Sequence, residues 1–261
     1  MALGTKSIDA RGGIGSSTFD FDELMGSLKA KGGIFNSEIE AGAATKIEGA
    51  SGIGNTDITI DGLLKLLKSG AEIADVDLVA GSGDRIEAKT GFTDSTFTFT
   101  DPFDAANPKQ RAFRKFATRA TAMHVDVIGE ASFGKIELGR AIDFNATSGA
   151  PGLPADSLVG VGLDFANPTV IDGVRIKGLR NEPIAMDNAF FNAHSINSIS
   201  VVFAAGGAGD RFGFGAEMFP KGATYKDDDG TVRLKQRDLV IGDNLVNLAG
   251  TRLTVRMVDA D

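Results

Sequence analysis

Residues 13–90 are one sequence written twice, so the chain must fold into copies of one unit that fit against each other. Displaced by 39 positions, Gly13-Ile14-Gly15 falls on Gly52-Ile53-Gly54, and Asp22, Leu24, Leu28 and Lys29 fall on Asp61, Leu63, Leu67 and Lys68. Ile34 falls on Ile73, Ala41-Gly42 on Ala80-Gly81, and Ile47-Glu48 on Ile86-Glu87, with no gap. A third, diverged copy begins at Gly91: Ser95-Thr96-Phe97-Thr98-Phe99 repeats Ser17-Thr18-Phe19-Asp20-Phe21. At its end His124-Val125-Asp126 takes the place of Lys46-Ile47-Glu48 and Arg85-Ile86-Glu87.

Each unit reads as strand, helix, strand, strand. The runs 18–21, 58–60 and 97–99 alternate with period two, as half-buried strands do. Asp22 and Asp61 stand where a helix N-cap belongs. The apolar residues Leu24, Met25 and Leu28, and Leu63, Leu64 and Leu67, share one face of a short helix. Lys29, Lys31 and Lys68 suit its negative end, and Gly32-Gly33 and Gly70 stop it. From about residue 130 the helical spacing vanishes and short alternating runs follow one another between turn signals. This pattern predicts an antiparallel β-sandwich or jelly-roll-like half.

The expected fold is therefore mainly β with short helices (α+β). An N-terminal arm, 1–12, precedes three tandem repeats at 13–51, 52–90 and 91–129. An all-β domain, 130–261, follows, with its boundary in 130–150.

Composition narrows the chemistry. Hydrophobic residues make up 42% and charged residues 24%, as in globular proteins. With no cysteine, disulfides, thiolate metal sites and cysteine nucleophiles are excluded. A net charge of −8 argues against nucleic acid as partner, and no apolar run is long enough to span a membrane as a helix. No signal peptide is visible, so the expected location is the cytoplasm or an export route that needs none. Eighteen Phe against one Tyr and no Trp disfavour the usual sugar-stacking platforms.

Four local patterns invite a chemical reading. His124, Asp126 and His194 have the outline of a two-His-one-carboxylate site for non-haem Fe(II). The repeat argues against it, because the same place elsewhere holds Lys-x-Glu and Arg-x-Glu on an exposed strand. Asp227, Asp228 and Asp229 could offer oxygens to Ca²⁺, yet Asp-Gly after Lys226 reads equally as a hairpin turn between 223–225 and 231–234. Gly206-Gly207-Ala208-Gly209 lacks the following helix that a dinucleotide-binding turn needs. Residues 107–119 read as a basic helix packed through Phe113 and Phe116. On it Lys109, Arg111, Arg114, Lys115 and Arg119 could dock an acidic partner.

No nucleophile elbow or Ser/His/Asp arrangement is present. The expectation is a non-enzymatic structural, assembly or surface-binding protein, without cofactor, acting through extended β surfaces by self-association or on a polymeric or protein partner. The rival expectations are a β-sandwich binding carbohydrate or a small apolar ligand, with or without calcium, and an enzyme. The enzyme would be the Fe(II) oxygenase or a glycosidase using a carboxylate pair.

Overall fold

The computed structural model describes residues 6–150, 152–154, 157–160, 165, 167–182, 184–202, 212–227, 230–246 and 253–259. These residues form one sheet system almost entirely of strands, with one 3-10 turn at Gln236–Asp238 and no α-helix among them. Every strand pairing is parallel except for two hairpins, Ala223–Asp227 with Gly230–Leu234 and Gly242–Val246 with Leu253–Met257.

The chain winds as a solenoid. Ile34 pairs with Ile53 and Ile53 with Ile73, so these coils advance the sequence by 19 and 20 residues and return to the same place one rung on. Insertions lengthen later coils, as where Phe92 pairs with Ala122 and Ala141 with Met186. On each coil a front segment (34–41, 53–60, 73–80, 92–99, 122–129, 141–148) is followed by a back segment (44–49, 64–69, 83–88, 113–118, 133–138, 171–176). Period-two alternation turns every second side chain inward. Ile39, Ile58, Leu78, Phe97, Val127, Ala146, Phe191, Phe214 and Val255 stack as one buried column of the front face. Leu28, Ile47, Leu67, Ile86, Phe116, Ile136, Val174 and Ile199 stack on the back. The columns meet in a core that changes from Ile and Leu in the early coils to Phe in the later ones. There the Phe116 ring lies 4.4 Å from Phe92 and 5.1 Å from Phe97.

One residue per coil bends the front segment by adopting positive φ: Ser16, Asn36, Asn55, Asp75, Asp94, His124, Asp143 and Asn188, all between 42° and 52°. Asn and Asp enter this left-handed region more readily than other non-glycine residues. Their side chains also bond along the stack, Asn55 Nδ2 donating to Asn36 Oδ1 at 2.6 Å and Asn188 Nδ2 to Asp143 Oδ1 at 2.6 Å.

The expected helices do not form. Residues 22–28 and 61–67 lie inside the strands Thr18–Ala30 and Ile53–Ser69. The register slips between Phe21 and Leu24 and between Ile60 and Leu63, where the chain turns from front to back. That slip buries Met25 with Leu28, and Leu64 with Leu67, at a spacing of three that imitates one face of a helix. Residues 107–119 are likewise no helix. Arg111–Thr118 is a back-face strand, and Phe113 and Phe116 both point into the core.

The antiparallel sandwich is also replaced. Val170–Ile176, Met186–Asn192, Ile199–Val202 and Phe212–Ala216 continue the same parallel ladders, and pairing runs unbroken across 130–150. Alternation of apolar residues is the same in parallel and antiparallel strands, so it carries no information on direction. The 39-residue repeat is two coils, one of 19 and one of 20 residues, and not a strand-helix-strand-strand unit.

Because Phe116 is fully buried against four other rings, those of Phe92, Phe97, Phe113 and Phe144, Phe116→Ala should cost about 3–5 kcal/mol of unfolding free energy in urea titration, with cooperative unfolding retained.

Candidate functional site

The two faces differ in charge. Front segments 34–41, 53–60, 73–80, 92–99 and 122–129 contain no Lys or Arg, and their exposed or half-exposed positions include Glu38, Glu40, Asp57, Asp75, Asp77, Asp94 and Asp126. Glu38, Asp57 and Asp77 are direct register partners, so three carboxylates stand one above another. Adjacent strands are about 4.8 Å apart, and like charges facing each other at that distance are destabilising.

On the back face every segment from 25–30 to 171–176 carries Lys or Arg. Here one column alternates in sign: Lys29, Glu48, Lys68, Glu87, then Ala117, Glu137 and Arg175. Lys46 and Lys68 both reach Glu48, at 2.5 Å and 3.8 Å. A second column, Arg85, Lys115 and Lys135, is basic throughout.

The uninterrupted charge alternation breaks at Ala117, which leaves a gap where neighbouring coils have a long side chain. Around it lies a groove of about 690 Å³ at the ends of the back-face strands. Lys68, Glu87, Lys89, Arg119, Glu137 and Lys177 line it, with Ala50, Gly70 and Ala88 keeping it open.

Of the basic residues expected on one docking helix, three are engaged within the chain. Arg111 grips Asp172 with two hydrogen bonds of 3.0 Å, Arg114 reaches Asp84 at 2.7 Å, and Lys115 reaches Glu137 at 3.1 Å. Lys109 is exposed on the connection before this strand, and Arg119 belongs to the groove.

His124 and His194 are not brought together. His124 stands in the positive-φ column, its Nδ1 2.9 Å from Asp94 Oδ1 and its Nε2 3.2 Å from Asp143 Oδ2. It stacks in register with Asp94 and Asp143, not with Lys46 or Arg85, because the extra residues around 101–110 shift the third copy out of phase. The strand matching Lys46-Ile47-Glu48 is Lys115-Phe116-Ala117.

His194 lies beyond the far end of the strand Met186–Asn192, whose Asn188 occupies the column of His124. Its Nε2 is 3.1 Å from Glu217 Oε2. Among the described residues no group of three His, Asp or Glu side chains is arranged to hold a metal. Asp227 closes the hairpin opposite Gly230, while Asp228, Asp229 and the run 206–209 lie outside the described residues. No helix among the described residues is long and apolar enough to cross a membrane.

No family model, no curated protein and no solved structure matches this chain.

Two carboxyls of the back face titrate below their ordinary value of 4.5. The hydrogen bond from Lys46 is the main cause for Glu48; burial opposes it, and the charges of Lys46, Lys68 and Lys29 add to it. For Glu137 the hydrogen bond from Lys115 leads, again against burial, with Lys115, Lys177 and Lys135 contributing charge. A carboxyl whose folded pKa is depressed adds stability above its unfolded pKa and loses it as pH falls through the folded value. Urea unfolding at a series of pH values should therefore show stability falling below pH 4.5, with a shallower fall in the Glu48→Gln/Glu137→Gln variant.

Proposed function

We propose that this chain is a non-enzymatic assembly protein that acts through its extended β surfaces, the acidic front of one copy docking on the basic back of another. The observation that carries this reading is the stack of Glu38, Asp57 and Asp77 with no cation on five successive front segments. One column of the back face avoids like-charge stacking by alternating Lys and Glu, a remedy the acidic front column does not use, whereas the Arg85, Lys115 and Lys135 column leaves like charges of the opposite sign stacked. Uncompensated charge held at a cost to stability is understandable where a partner supplies the opposite charge.

A second copy has the right spacing to do so. Both faces belong to one solenoid, so the carboxylates of one and the cations of the other repeat at the same rung distance of about 4.8 Å. Two solenoids side by side, axes parallel, can keep Asp57 and Asp77 opposite Arg85, Lys115 and Lys135 over several rungs. The contact uses different patches on the two copies, so it extends into a row unless its rotation closes a ring.

Sedimentation velocity across protein concentrations tests this. At about 0.01 M salt, where screening reaches roughly 30 Å, oligomers should form, and at about 1 M, where it is roughly 3 Å, they should dissociate. Asp57→Lys/Asp77→Lys should abolish association at low salt. A monomer at every concentration and ionic strength would overturn the reading.

A further inference from the structure

The groove at Ala117 lies at one margin of the back face and has features that face-to-face docking does not require. It extends along the solenoid axis across six rungs, from Ala50 to Lys177, or roughly 24 Å at about 4.8 Å per rung. The residue just past the last paired position of successive rungs is Ala50, Gly70, Lys89, Arg119, Gly139 and Lys177. Small residues thus hold the channel open, and long cations project at intervals of one or two rungs. Lys68, which also reaches Glu48 at 3.8 Å, adds a fourth cation against the carboxylates of Glu87 and Glu137, and Glu137 is already engaged by Lys115.

We propose that this groove is a binding site for a linear polysaccharide that carries an anionic group on successive sugars. Its length along the axis fits an extended polymer better than a single small anion. Cations one or two rungs apart suit a chain that carries acidic groups at regular intervals along its length. Glu87, on the groove wall, can accept hydrogen bonds from sugar hydroxyls.

Single-stranded nucleic acid, the other extended polyanion, is recognised largely by stacking bases on aromatic side chains, and the lining contains none. Polymer and protein partner use separate parts of the back face: the docked copy faces the Arg85–Lys115–Lys135 column, and the polysaccharide lies at the strand ends.

The sharpest variant restores the missing side chain. Glu stands in the same column at Glu48, Glu87 and Glu137, so the backbone at residue 117 accepts Ala117→Glu, which fills and acidifies the groove at the cost of stacking a third carboxylate between Glu87 and Glu137. Isothermal titration calorimetry of the full chain, at a concentration where it sediments as a monomer, separates this site from self-association. Polygalacturonate or dextran sulfate should bind, the better of the two showing whether carboxylate or sulfate is preferred, and neutral dextran should not.

Ala117→Glu and Arg119→Glu should each weaken binding at least about tenfold, a change of about 1.4 kcal/mol. Inorganic sulfate and oligothymidylate should bind at least about tenfold more weakly than the preferred polysaccharide. If Ala117→Glu melts early, Arg119→Glu and Lys177→Glu decide the matter. The proposal is overturned if neither anionic polymer binds, if dextran binds equally, or if groove variants that remain folded leave affinity unchanged. Sulfate alone or oligothymidylate binding as tightly as the polysaccharide would also overturn it.

Discussion

Parallel stacking in register is the constraint from which the rest of this structure follows. A side chain in such a ladder has its counterparts on neighbouring coils about 4.8 Å above and below, so each position is chosen jointly with a column. Inward columns must fill the space between the faces, and they do so with Ile and Leu in early coils and with stacked Phe from Phe92 onward. The bend column must tolerate positive φ on every coil, which explains its run of Asn and Asp. Outward columns must manage charge. On the back, Lys29, Glu48, Lys68 and Glu87 turn a potential repulsion into a ladder of opposite signs.

That alternation also explains the period of the sequence. One coil would suffice to repeat the backbone, but two are needed to repeat the charge, and two coils of unequal length add the second reason. The duplication was legible because Lys29 matches Lys68 and Glu48 matches Glu87, while adjacent coils differ in sign. The β character and the buried alternation were equally visible. What could not be read was direction: apolar alternation from Ile136 through Val174 to Ile199 is compatible with either sense of pairing, and only the register decides it. The helical spacing in the sequence has a definite physical cause. A corner that slips the register buries Leu64 and Leu67 three apart, as a helix would.

The candidate site was partly legible. Arg119 and Lys115 were picked out by their charge, but on a supposed helix they would have shared a surface with Arg111 and Arg114. The strand instead sends Arg111 to Asp172 and Arg114 to Asp84, and leaves Arg119 at the groove. Lys68, Lys89 and Lys177 were missed because they come from separate coils. Ala117 was missed because a small residue carries no chemical signature until its column is known. The repeat did hold a usable signal, had the third copy been shifted to place Lys115-Phe116-Ala117 beneath Arg85-Ile86-Glu87. The extra residues at 101–110 hid that phase, and so placed His124 in a column to which it does not belong.

The same shift shows how a solenoid acquires a groove. A regular stack presents uniform stripes, and a uniform stripe distinguishes no position along its length. An insertion between coils leaves the inward columns in register, as Ile86 over Phe116 shows, while it frees the outward residues to depart from the repeat. Ala117 is such a departure, flanked in its column by Glu87 and Glu137. The core enforces the position of the backbone at residue 117, and so the absence of a side chain there becomes a cavity instead of a local collapse. The groove therefore depends on the packing of Phe113, Phe116 and Phe133 beneath it as much as on the charges at its rim.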